Sequence, residues 1–181
     1  MLNDLDKLPG MEDFLGGGGA GAGVDELRLA GSFQVNRGQR TGVIQVRATL
    51  EPSWHVYAMD QDGGPGPTKI TLPETDQIRL TGPFRPDKQP EVRKVEFFDT
   101  PLREHYGQVT WSAPVELGAG LDPEKLKLEA QFDGQICNDS VGCKPIFGNK
   151  IALVFSGFTG APETPAAGAE LVAPAVPAST G

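Results

Sequence analysis

The chain has 181 residues, a net charge of −8, 38% hydrophobic residues, 24 glycines and 16 prolines. That length suits one domain with extensions. The acidic balance argues against nucleic acid as a partner, because phosphate binding needs a clustered basic surface. The densest basic stretch, residues 85–94, also carries Asp87 and Glu91 and reads as a solvated face. No apolar run reaches the length of a membrane-spanning helix. The N-terminus, MLNDLDKLPGMEDF, lacks the basic and apolar regions of a signal peptide.

Residues 1–24 are expected to form a flexible extension, because Gly16 to Gly23 read GGGGAGAG and lack side chains to bury. A short helix is conceivable over Leu2–Phe14, interrupted by Pro9 and Gly10. The folded unit is expected over 25–158. Residues 159–181 read as a disordered Ala/Pro linker whose only charges are Glu163 and Glu170. That end resembles a spacer leading onward, so the chain is expected to be an excised piece of a longer one.

Between the extensions the hydrophobic period is two. Leu27, Leu29, Phe33 and Val35 predict a first strand with an irregularity at Gly31. Ile44, Val46, Ala48 and Leu50 alternate with Gln45, Arg47 and Thr49 as a half-buried strand. Val56 and Tyr57 follow Pro52, and Ile70 and Leu72 form a short strand ended by Pro73. Strands are predicted at Val95–Phe98 and Val109–Leu117. Leu126, Leu128, Ala130 and Phe132 give the cleanest alternation, and Ile151, Leu153 and Phe155 close the set. Eight or nine short strands separated by turn residues indicate an all-β sandwich of immunoglobulin-like type. A barrel is the structural alternative.

The two cysteines, Cys137 and Cys143, flank Asn138-Asp-Ser-Val-Gly142. Asn, Asp and Ser bond locally to backbone, and Gly permits positive φ, so the segment reads as a hairpin-like turn with the sulfurs facing each other. A disulfide closing so small a loop stabilises by roughly 2–2.5 kcal/mol, against about 4.7 for a loop near 100 residues. It is a weak staple, which leaves two readings open: an inert structural bond, or one made and broken in use. Exchange needs an accessible thiolate and a second thiol to resolve the mixed disulfide. Lys144 directly follows Cys143 and favours its thiolate, whereas Asp139 lies nearer Cys137.

His55 and His105 are the only histidines. Neither stands at a zinc-ligand spacing, so no metal and no cofactor are expected. His55 in Trp54-His-Val-Tyr57 reads as a strand residue that packs its ring. His105 in Glu104-His-Tyr-Gly107 reads as part of a loop able to cover the cysteines. Asp60 to Gly66 is too poor in carboxylates for calcium, and the glycine run precedes no phosphate-loop lysine.

Taken in order, several segments resemble the N-terminal periplasmic domain of the DsbD thiol:disulfide interchange family. They are Trp54-His-Val-Tyr57, Ile70-Thr-Leu-Pro73, Glu104-His-Tyr-Gly107, Trp111-Ser-Ala-Pro-Val115, and the strand, Cys-x5-Cys and proline from Leu128 to Pro145. The agreement covers about 30–156. The resemblance implies an immunoglobulin-like sandwich whose cysteine pair shuttles electrons. It makes Cys143 the residue that forms mixed disulfides and Cys137 the resolver. It makes Arg103, Glu104, His105, Tyr106 and Gly107 a cap loop that shields the pair, with Tyr57 an aromatic neighbour. It also implies extracytoplasmic or periplasmic location, thioredoxin-like donors, oxidised client proteins, a membrane-embedded electron-transfer domain in the parent chain, and work of the kind that serves cytochrome c biogenesis. This chain departs from the family pattern at His105, where Phe is common, at Arg103, where an acid is found, and at Ile146, where a second proline is common. Glu104 is the neighbouring acid left to handle protons. The competing functions are a non-catalytic binding or spacer domain with a structural disulfide, and metal handling by the thiols.

Overall fold

The computed structural model describes residues 24–160, and the expected helix at Leu2–Phe14, the glycine run and nearly all of the Ala/Pro linker lie outside them. The described chain is all β apart from one short 3-10 turn, Pro123–Lys125, capped by the Asp122 side chain. Eleven strands follow in order: β1 (Leu27–Asn36), β2 (Thr41–Leu50), β3 (His55–Tyr57), β4 (Lys69–Thr71), β5 (Ile78–Leu80), β6 (Arg85–Pro86), β7 (Glu91–Arg93), β8 (Leu102–Tyr106), β9 (Gln108–Leu117), β10 (Leu128–Asn138) and β11 (Gly142–Thr159).

One continuous ladder runs β5-β9-β2-β1-β11-β10-β3-β8-β7, with β4 beside β10 and β6 beside β9. All pairs are antiparallel except β1 with β11. The ladder folds over on itself into a sandwich. Trp111 on β9 and Phe132 on β10 are four strands apart in the ladder, yet their ring centroids are 6.0 Å apart. The inward residues of both layers, including Phe33, Ile44, Val46, Val56, Trp111 and Ile151, form one buried core. The predicted alternation in β2 and β10 appears directly as alternating burial.

Some elements differ from expectation. The Gly31 irregularity is absent: β1 pairs with β2 without a break from Leu27 to Val35. Gly31 instead admits close approach of β11, because a Cβ there would lie 2.6 Å from a Leu153 methyl and 2.9 Å from the Ala152 carbonyl oxygen. The register shift falls between Phe33 and Val35, against β11. The strand expected at Val95–Phe98 is a turn closed by the Phe98 amide on the Val95 carbonyl. The pairing strand lies just before it, at β7.

The largest difference is at Arg103–Gly107. Arg103 to Tyr106 belong to β8, which pairs with β3 on one side and β7 on the other, so this segment is not a loop. Its loop-like polar composition reflects a strand with two differently buried faces. Gln61 fastens its start, accepting from the Arg103 amide at 2.7 Å and donating to the Pro101 carbonyl at 3.3 Å.

Candidate functional site

The β10–β11 hairpin carries both cysteines. Asn138 makes the turn as its residue type predicts: its Oδ1 accepts from the amides of Ser140 (2.9 Å) and Val141 (3.3 Å). Gly142 takes a positive φ of 107°, which a residue with a Cβ rarely adopts. Cys137 and Cys143 thereby stand directly opposite in register, Cα atoms 4.1 Å apart, and are joined as a disulfide. This is the close spacing of a non-hydrogen-bonded antiparallel pair, about 4.5 Å. The two sulfur-bearing residues are unequal. Cys143 is exposed, whereas Cys137 is 3% exposed and packs with Tyr57, Leu102 and Val95.

From Cys137 the register continues sideways. Cys137 pairs with His55 on β3, and His55 pairs with Tyr106 on β8. Residues paired across strands share a face, and period two adds Tyr57 and Glu104 to it. The face therefore presents a row of chemistry next to the disulfide: His55, Tyr57, Glu104 and Tyr106, with Arg93 from β7 beyond. Glu104 is the centre. Its carboxylate accepts from Arg93 Nη2 (2.7 Å), Arg93 Nε (3.1 Å) and the Tyr106 hydroxyl (2.8 Å). His55 Nε2 lies 3.3 Å from Glu104 Oε1 and 3.3 Å from the Tyr57 hydroxyl. Arg93 also reaches Asp139 in the cysteine turn at 3.1 Å, so one guanidinium ties the hairpin to β8.

His55 and Glu104 are each 1% exposed. Burial pushes the Glu104 carboxyl up, but the bonds from Arg93 and Tyr106 and the nearness of His55 outweigh it, and the group is held below the usual carboxylate range. Burial pushes His55 down, more than Glu104 and Asp139 push it up, so its ring is neutral near pH 7. Burial, then the Glu104 charge, lifts the Tyr57 hydroxyl to about 12 and raises Tyr106 further still. A carboxylate 3.3 Å from Nε2 favours the proton on that nitrogen. Nδ1 of His55 is then a lone pair, and it has no partner in the protein.

The residues expected at the site separate into two groups. Cys137, Cys143, Tyr57, Glu104 and Tyr106 come together. Arg103 and His105, at the alternate positions of β8, turn to the opposite face. Arg103 pairs with Asp60 at 3.1 Å, and the His105 ring meets the edge of Trp111 at 5.8 Å in the core. Gly107 closes β8 with a φ of +66°. Lys144 likewise points away from Cys143. Its ammonium binds Glu26 and lies 5.2 Å from the Trp54 ring centroid, so its charge is engaged on that side. Two site residues escaped the sequence reading. Arg93 sat in a stretch read as solvated. His55 was read as packing only, although His-x-Tyr alternation already puts it on the Tyr57 face. Among the described residues, no group of three or more His, Cys, Asp or Glu could hold a metal ion.

The fold is shared with a solved periplasmic domain. The N-terminal periplasmic domain of ScsB from Proteus mirabilis superposes with a TM-score of 0.50 and 14% identity, over 72% of this chain and 47% of that one. The chain therefore spans about half the length of that structure. Two DsbD N-terminal domain structures from Neisseria meningitidis align less tightly. One, in complex with the PilB N-terminal domain, has a TM-score of 0.44 and 12% identity over 75% of this chain and 89% of its own. The other, in the reduced form, has 0.42 and 14% over 68% and 89%. No family model and no curated protein sequence matches the chain. At the level of fold, the chain is an immunoglobulin-like sandwich of the kind seen in the ScsB periplasmic domain.

Proposed function

We propose that this domain is a thiol-disulfide interchange module, relaying electrons through Cys137–Cys143 from a thioredoxin-like dithiol to oxidised extracytoplasmic proteins. The observation that carries this reading is the inequality of the two sulfurs: a small-loop disulfide with Cys143 exposed and Cys137 buried beside ionisable side chains. A partner thiolate attacks Cys143 Sγ, the 137–143 bond breaks, and Cys137 leaves with the electron pair. The partner's second thiol then attacks the mixed disulfide, Cys143 leaves as a thiolate, and the domain holds two electrons and the partner a disulfide. Running the same steps against a client disulfide passes both electrons on. Glu104 and Tyr106 act as a fixed shield beside Cys137, in place of a mobile cap. A disulfide and a fold seen in a periplasmic domain both favour an oxidising compartment.

The test is equilibration of the protein with glutathione and thioredoxin redox buffers. Exchange at a potential above about −300 mV supports the relay, and a bond that stays oxidised below that value makes it structural, as in a spacer domain. Single-cysteine variants sharpen the result. Cys137→Ser, which frees Cys143, should trap a thioredoxin-like partner as a mixed disulfide. Cys143→Ser should trap at least about tenfold less, because a buried thiol is a poor nucleophile toward a protein. Equal trapping by both removes the assigned roles.

A further inference from the structure

Resting on the exchange reading above, we infer that His55 is the general base for Cys137, held in place by Glu104. Three independent features meet at this ring. It is the in-register cross-strand neighbour of Cys137, which puts its Cβ within about 4.5–5.5 Å of the cysteine Cβ. Its Nε2 lies 3.3 Å from the Glu104 carboxylate, which favours the proton on that nitrogen and the lone pair on Nδ1. Its Nδ1 is buried and has no protein partner. A nucleophile, a base beside it and an acid orienting the base make up the working arrangement of an activated thiol.

The groups facing His55 come from every side of it: Tyr57 on its own strand, Glu104 and Tyr106 on β8, Arg93 on β7, Cys137 on β10 and Asp139 in the cysteine turn. The neighbouring carboxylates favour an imidazolium and Arg93 opposes it. Burial keeps the resting ring neutral and able to accept a proton.

The step balances as follows. In a mixed disulfide at Cys143, the Cys137 thiol gives its proton to Nδ1. The Cys137 thiolate attacks Cys143 Sγ, the 137–143 bond forms, and the partner leaves as a thiolate with the electron pair. In the opposite direction, a partner thiol passes its proton to the ring as its sulfur attacks Cys143 Sγ, and the departing Cys137 sulfur takes that proton from the imidazolium. After disulfide formation the imidazolium gives its proton to the departing partner sulfur, so the ring ends each direction neutral, and Cys137 need never be a bare buried anion.

The experiment uses the reduced 181-residue chain and 5,5′-dithiobis(2-nitrobenzoate). The first release of thionitrobenzoate reports reaction of Cys143, and the second reports attack of Cys137 on the mixed disulfide. With His55→Gln, the second phase near pH 7 should slow by about a hundredfold or more while the first is unchanged. Its pH profile should lose the inflection that the unsubstituted protein shows where the His55 ring titrates by NMR. A second phase of unchanged rate and pH profile overturns the proposal. If His55→Gln does not fold, the unsubstituted protein still decides, because the absence of an inflection at the His55 titration point also overturns it. The probe is a small disulfide, so this chemistry is read even if exchange with thioredoxin fails. Loss of the relay and loss of the base are therefore separate results.

Discussion

Glu104 shows how much one side chain organises. Its carboxylate joins β3, β7 and β8 through His55, Arg93 and Tyr106. Removing one partner of a buried ion pair typically costs about 3–5 kcal/mol, and less where the other partner keeps contact with water, as Arg93 does at 39% side-chain exposure. Glu104→Gln is therefore expected to cost about 2 kcal/mol at pH 7 in a urea titration. The pH dependence follows from the directions of the shifts. Glu104 has a depressed folded value, so its stabilisation is complete above its ordinary value near 4.3 and is lost as pH falls through the folded value. His55 and His105 are buried neutral, with folded values below their ordinary value near 6.5. Unfolding takes up protons in that window, so stability falls as pH drops below about 6.5. Glu104→Gln should flatten the carboxylate part of the curve below about pH 4.3, and, because the lost charge had raised His55, it should extend the histidine slope to lower pH. Retention of the acid slope in the variant would assign it to other carboxylates.

At the scale of elements, strand packing is decided by where two backbones come close. Gly31 is such a place, with β11 side chains and a carbonyl against it. Gly31→Val should destabilise by about 1–3 kcal/mol, as overpacking does. Gly42 is tighter, since a Cβ there would lie 2.1 Å from the Gln34 carbonyl oxygen, which cannot rotate away. Gly42→Ala should therefore cost more per atom added than Gly31→Ala, as paired thermal melts would show. β8 makes a related point about reading strands. Leu102, Glu104 and Tyr106 face the disulfide while Arg103 and His105 face the other way, so polar residues on both faces hid the strand from its hydrophobic pattern. The turn at 138–142 was legible because its Asn and Gly act locally, without help from the rest of the fold.

For the whole molecule, the disulfide sits at one edge of a core it does not hold together. The main core spans both layers, whereas Cys137 belongs to a small separate cluster with Tyr57 and Leu102. The reduced protein should stay folded. Loss of roughly 2–2.5 kcal/mol of loop-closure stabilisation corresponds to a drop of about 5–10 °C in Tm. Cooperative melting of the reduced form, followed by near-UV circular dichroism, checks this. Unfolding on reduction would make the bond a staple and argue against a bond cycled in use. By contrast, Trp111→Ala and Phe132→Ala meet at the core between the layers and should each cost about 3–5 kcal/mol.

The sequence by itself determined the all-β class, most of the strands, the cysteine turn and the pairing of the only two cysteines. Those depend on period-two burial and on side chains that bond to their own neighbours in the chain. Tertiary structure alone decided which sulfur is exposed, that Lys144 is drawn off to Glu26, and that His105 turns into the core. It alone brought His55, Glu104 and Arg93 beside Cys137. These are contacts between strands distant in sequence, fixed by register, and a one-residue slip would send every one of these side chains to the other face.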